Sequence, residues 1–272
     1  MHPVVHIGSY AIKSYMLFNF ILSAVAAYSI VFWLSLTLFR DRFRLWKVLV
    51  IIAGGWLSAI VLARVTHYII FYRMYKLLGL SAANFNPQGF ILFSALIFNI
   101  PVIWLLSLAV GYSPYVVLDV GAVGKCFSIF VAKIGCFLEG CCRGIPTNLP
   151  WGVTFPGTSQ AVHPVQLYES AFGLVAGVVF SQLLRKRKLP DGCVFTLFVA
   201  SYSLFRLGMF YLRKIPLGVS YSNAAPFFFL ALSFLFFMWF ARRLESGGEK
   251  TKQQVKTGAG KKRTKKEAAA RV

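Results

Sequence analysis

Apolar positions along the chain run in blocks far longer than a globular core requires, and the charged residues fall almost entirely between them. No Asp, Glu, Lys or Arg occurs in 14–39, 77–118 or 215–241, and a bilayer core takes about 20 apolar residues per helix. Divided at charges and turn residues, these runs predict seven helices, over 14–39, 48–72, 89–111, 115–136, 166–184, 193–212 and 224–241. The expected fold class is therefore all-α: a polytopic membrane protein with about seven transmembrane helices in 1–241 and a tail over 242–272.

Composition agrees. The 272 residues are 58% hydrophobic and 14% charged, with a mean hydropathy of +0.67, whereas soluble domains carry about a quarter charged residues. The net charge of +21 would suit a nucleic-acid binder, but its distribution points to membrane topology instead. One basic group is Arg40, Arg42, Arg44 and Lys47, a second is Arg185 to Lys188, and a third is the tail, where eleven Lys and Arg meet only Glu245, Glu249 and Glu267. With seven spans all three groups share one side. The positive-inside rule makes that side cytoplasmic, which puts the N-terminus out and the C-terminus in. Residues 1–13 hold a single Lys and no small-residue cleavage site, so the first helix is expected to be retained. From Gly247 onward the tail has the composition of a solvated, disordered segment. No repeat of 20–50 residues and no symmetry between the halves is visible, which disfavours a solenoid or a transporter.

Apart from Glu169 at the start of 166–184, where that span overlaps the loop, charges within the expected spans are few: Arg64, Asp119, Lys125, Lys133 and Arg206. Each costs about 2.5–3.5 kcal/mol on insertion scales and so asks for a partner, a wet cavity or a task. The alternating topology puts Arg64, Lys133 and Arg206 in the outer halves of their helices, on the side where Tyr15 begins the first. Cations converging there would hold an anion at membrane depth, most simply a lipid phosphate. Snorkelling is the competing account of Arg64. Asp119 lies near the start of its own helix, where a carboxylate complements the N-terminal dipole. Lys125 is assigned no role.

The segment 134–170 is expected to be a long outward loop, rich in Gly, Pro and polar chemistry. Cys136, Cys141 and Cys142 crowd into it, and three readings stay open: packing around a Gly turn, a disulfide, or zinc ligation, although Cys-x4-Cys-Cys is not a usual structural-zinc spacing. Cys126 and Cys193 read as core, and His2, His6 and His67 as surface or packed residues. His163 is the histidine singled out for function.

The run Gly135-Cys136-Phe137-x-x-Gly140-Cys141-Cys142-x-Gly144-x-Pro146-Thr147-x-Leu149-Pro150-Trp151-Gly152-Val153-x-Phe155-Pro156, followed by His163-Pro164-x-Gln166-Leu167-Tyr168-Glu169, resembles the prolipoprotein diacylglyceryl transferase family in its cysteine-containing branch. Ile7-Gly8 through Tyr15, the stretch Ile60 to Tyr68 around Arg64, Asp119, and Tyr202-x-x-x-Arg206 with Arg213 are similar to further family segments. The resemblance implies a seven-helix enzyme of the bacterial plasma (inner) membrane that moves the diacylglyceryl group of phosphatidylglycerol onto the lipobox cysteine of a prolipoprotein signal peptide. It implies Lys133, Arg206, His163 and Tyr15 as catalytic residues. Arg64, Gly135, Gly140, Gly144, Gln166, Tyr168, Glu169 and Arg213 become substrate-binding residues. Neither metal nor cofactor is called for. The partners are phosphatidylglycerol, the precursor peptide and membrane lipids, with no nucleic acid. Three departures stand out: Lys133 replaces an arginine, Phe93-Ser94-Ala95 replaces a His-Gly-Gly or Tyr-Gly-Gly, and Phe210 replaces a glutamate. They keep open a second reading, a lipid-binding homologue without turnover.

Overall fold

The structure, a computed structural model, describes residues 4–7, 10–38, 44–70, 72–77, 92–187 and 189–213. Its helices are α1 (Ser14–Leu38), α2 (Leu45–Ile70), α3 (Tyr72–Leu77), α4 (Leu92–Ala109), α5 (Pro114–Glu139), α6 (Val165–Lys186) and α7 (Cys193–Phe210). An antiparallel hairpin, unforeseen in the hydropathy pattern, precedes them: β1 (Val4–Ile7) pairs with β2 (Tyr10–Lys13), with Ile7 opposite Tyr10.

Five of these helices are long and apolar enough to cross a bilayer: α1, α2 over Leu45–Thr66, α5, α6 and α7. The span expected at 89–111 corresponds to α4, whose Asn99–Ala109 part is a shorter apolar helix and whose Pro101 removes one backbone donor from its interior. The helix expected over 224–241 and the tail 242–272 lie outside the described residues.

Large apolar side chains point outward along the bundle, with Leu57 60%, Val175 62%, Leu105 64% and Leu204 64% exposed. In water such a surface would aggregate; in lipid it is the ordinary exterior of a helix bundle, since helices satisfy their interior backbone groups within the segment. The chain is a multi-pass membrane protein. Inside, α5 is the central helix and packs on α1, α4, α6 and α7. Leu34, Val123, Cys126, Ile129, Ala176, Phe180, Val194 and Phe198 form the buried core between them. Hydrophobic driving force is weak between helices in lipid, so close van der Waals approach does much of the work. At Gly173 a Cβ would sit 2.7 Å from the Cys126 carbonyl oxygen of α5. Beside it the Ser170 hydroxyl donates to the Phe130 carbonyl at 2.9 Å. Helices α2 and α4 are joined by polar bonds instead: the Ser58 hydroxyl meets Asn99 Oδ1 at 2.6 Å, and Asn99 Nδ2 donates to the Gly55 carbonyl at 3.1 Å.

Two expectations need correction. Asp119 does not serve the N-terminus of its own helix. It is buried, 2% exposed, and its two oxygens accept from the backbone N–H groups of Gly192 and Phe195, each at 2.7 Å. The carboxylate thus caps α7 from a neighbouring helix, satisfying donors that the left-handed Gly192 leaves without a side-chain cap. The outward loop is also shorter than 134–170. Helix α5 continues through Gly135 to Glu139 and stops where Gly140 turns left-handed at φ 74, while α6 starts at Val165. Gly135 is a packing glycine rather than a breaker, and Gln166, Tyr168 and Glu169 sit on the first turns of a helix that aims them.

Candidate active site at one end of the bundle

At the end of the bundle formed by the C-terminal turns of α5 and α7 and the N-terminal turns of α1 and α6, four charged groups converge. Glu169, 1% exposed, is their centre. One carboxylate oxygen pairs with Arg206 Nη1 at 2.7 Å and lies 3.7 Å from Arg213 Nη1, and the other pairs with Lys133 Nζ. Three cations against one carboxylate leave a surplus of two positive charges in a site shielded from water. The stacked Tyr202, between Phe172 and Phe198, places its phenol within electrostatic reach of all four groups.

Backbone pairing explains how distant segments hold this cluster. Gly144 N–H donates to the His163 carbonyl at 3.0 Å, His163 N–H to the Ile145 carbonyl at 3.0 Å, and Ile145 N–H to the Leu212 carbonyl at 2.9 Å. A bridge of Gly144 to Arg213 completes the seam. A Cβ at Gly144 would lie 2.6 Å from His163 Cβ and 2.7 Å from the Leu212 oxygen, so only glycine lets the loop clasp the end of α7 and hold Arg213 over Glu169. Gly135 does the same for α1: a Cβ there would be 2.3 Å from Phe18 Cβ, beside the π-helical turn Leu17–Leu22.

Among the residues singled out from sequence, Lys133, Arg206, Glu169 and Arg213 form one cluster. Tyr15 stands at its edge, within electrostatic reach of Lys133 and of Cys136, Cys141 and Cys142. Gln166, 1% exposed, donates to the Cys141 carbonyl at 2.5 Å and so ties α6 to the cysteine turn. His163 belongs to a separate chain of bonds: its Nδ1 is 3.3 Å from the Tyr168 hydroxyl, which accepts from Trp151 Nε1 at 2.9 Å. Arg64 bonds elsewhere, to the Tyr75 hydroxyl at 2.9 Å with its guanidinium over the same ring. Among the described ion pairs the third cation on Glu169 is Arg213. Gly135, Gly140 and Gly144 shape the backbone around the site.

Two further residues were given no role from the sequence. Arg143 lies over the Phe155 ring at 5.9 Å, and its Nη1 is buried with no hydrogen-bond partner among the described residues. Tyr202 carried a signal in its spacing of four from Arg206. The three cysteine sulfurs lie within 4.8 Å of one another. Hydrogen bonds from the Cys136 and Cys141 thiols, with Lys133 and Arg213 close by, hold the Cys142 thiol below its ordinary pKa; donating toward its neighbours pushes the Cys141 thiol up.

Membrane-length helices that carry a buried, net-cationic cluster at one end, closed by an ordered loop, define a multi-pass membrane protein with a polar site at its rim. The profile of the prolipoprotein diacylglyceryl transferase family matches residues 3–240, and the chain belongs to that family. It is similar to the phosphatidylglycerol-prolipoprotein diacylglyceryl transferase of Dehalococcoides mccartyi, 27% identical over 68% of this chain and 74% of the relative. The proteins of that name from Clostridium tetani and Nitratidesulfovibrio vulgaris are each 32% identical, over 48% and 57% of this chain and 54% and 60% of theirs.

Proposed function

We propose that the chain transfers the diacylglyceryl group of phosphatidylglycerol to the lipobox cysteine thiol of a prolipoprotein signal peptide, in the plasma membrane of a bacterium. The observation that carries this reading is the surplus of positive charge around Glu169. A phosphate between Lys133, Arg206 and Arg213 meets charge-assisted donors already fixed by a buried carboxylate. They stabilise the negative charge that grows on the departing glycerol phosphate, the largest single contribution in many enzymes. The acceptor sulfur attacks the glyceryl methylene, the bond from that carbon to the phosphate oxygen breaks, and a thioether results. Arg64, Tyr15 and the His163, Tyr168 and Trp151 chain would contact the rest of the headgroup and the peptide. The basic groups at Arg44, Lys47 and Arg185 to Arg187 lie at the other end of the bundle, which supports a cytoplasmic face there and an outward-facing site with the N-terminus out.

The test is a transfer assay in detergent with phosphatidylglycerol and a lipobox peptide, read by mass spectrometry. A diacylglyceryl adduct on the cysteine is expected, lost in Arg206→Ala. No adduct alongside retained phosphatidylglycerol binding favours the homologue without turnover, which the apolar Phe93 and Phe210 at family positions would explain.

A further inference from the structure

The cysteine turn has a geometry its spacing does not suggest. Cys136 lies on the last turn of α5, Cys141 follows the left-handed Gly140, and Cys142 is itself left-handed at φ 59, rare for a residue with a side chain. This double turn folds three sulfurs to within 4.8 Å of one another. Tetrahedral zinc with Zn–S bonds of about 2.3 Å sets its sulfurs about 3.8 Å apart, reachable by small side-chain rotations.

We propose that Cys136, Cys141 and Cys142 are the protein ligands of a zinc ion whose fourth position takes the acceptor thiol of the incoming peptide. Three protein ligands and one open position is the pattern of catalytic rather than structural zinc, and soft thiolates select zinc over hard cations. Three thiolates on a dication carry a net negative charge, and Lys133 and Arg213 lie beside Cys142 to balance it. Asn19 Nδ2, 3.8 Å from Cys136 Sγ, supplies an outer hydrogen bond that orients that ligand. The same two cations border the phosphate position proposed above, which sets a thiol bound here beside the lipid headgroup. The three cysteine thiols and then the acceptor thiol each give a proton to solvent on binding zinc, and the acceptor sulfur keeps its electron pair. Its electron pair then forms the C–S bond, the C–O pair leaves with glycerol phosphate, and the metal changes neither its cysteines nor its oxidation state.

The acceptor half of this assignment rests on the transferase reading; the metal half stands without it. The experiment uses the full chain in detergent with reduced thiols, stripped with a chelator and titrated with cobalt(II). Sulfur-to-cobalt charge-transfer bands and intense tetrahedral bands are expected at one metal per chain, displaced by zinc and lost in Cys142→Ser and Cys141→Ser. A lipobox peptide should shift the cobalt bands, and the same peptide with serine for cysteine should not. Freely titrating thiols that retain no cobalt, in wild type as in the variants, overturn the site. Bands indifferent to the cysteine peptide overturn the acceptor assignment. Both readouts are independent of the transfer assay, so the site and the transferase reading fail separately.

Discussion

Glu169 holds together three cations that would otherwise repel one another at the edge of a low-dielectric bundle. Breaking a buried ion pair by removing one partner leaves an uncompensated charge and typically costs about 3–5 kcal/mol. Glu169→Gln is therefore expected to lower the thermal midpoint strongly and to scatter Lys133, Arg206 and Arg213, abolishing the diacylglyceryl adduct. Arg213→Gln should be milder, because Lys133 and Arg206 keep the closer pairs; unfolding followed by intrinsic fluorescence ranks the two. The cations were legible in the sequence because charges in apolar spans are conspicuous. The carboxylate's place among them was not: it lies 37 residues from Arg206, where the expected loop 134–170 and the expected helix 166–184 overlap, and the backbone seam through Gly144 and His163 that closes this distance leaves no periodic signal.

At the scale of elements, two residues show how one helix depends on another. Asp119 of α5 satisfies the first turn of α7, a contact worth about 1–2 kcal/mol by analogy with an N-cap. Asp119→Ala is expected to lower stability by that amount, read by thermal unfolding, while transfer per folded molecule stays near wild type, because the site lies at the opposite end of α7. Gly135→Val tests the converse. Its side chain would strike Phe18 and push α1 away from α5, carrying Tyr15 and Asn19 with it; transfer should fall more than stability does, and Gly135→Ala should be intermediate. The sequence showed that Asp119 suits a helix N-terminus and misassigned which one, because apolar periodicity locates helices without pairing them. Gly135 was read as part of a loop for a similar reason: a glycine that ends a helix and one that admits a neighbour look alike in one dimension.

Across the whole molecule, charge divides the bundle into two dissimilar ends. At one, Lys47 donates to the Val110 carbonyl, Arg185 lies over Trp33, and Arg187 donates to the Leu38 carbonyl, all solvated or snorkelled cations of the kind that fix topology. At the other, the cations are drawn inward onto Glu169, leaving Cys142 as the exposed thiol at the rim. A membrane-impermeant maleimide should therefore react with Cys142 in intact spheroplasts after mild chelation, and far less in sealed inside-out vesicles. Cys142→Ser should remove most of that signal, since Cys126 and Cys136 are buried. Labelling only from the cytoplasmic side would reverse the assigned orientation. It would also leave the cationic site facing the wrong leaflet for a precursor whose lipobox emerges on the outer side, so a single accessibility measurement tests the topology and the proposed encounter of lipid and peptide together.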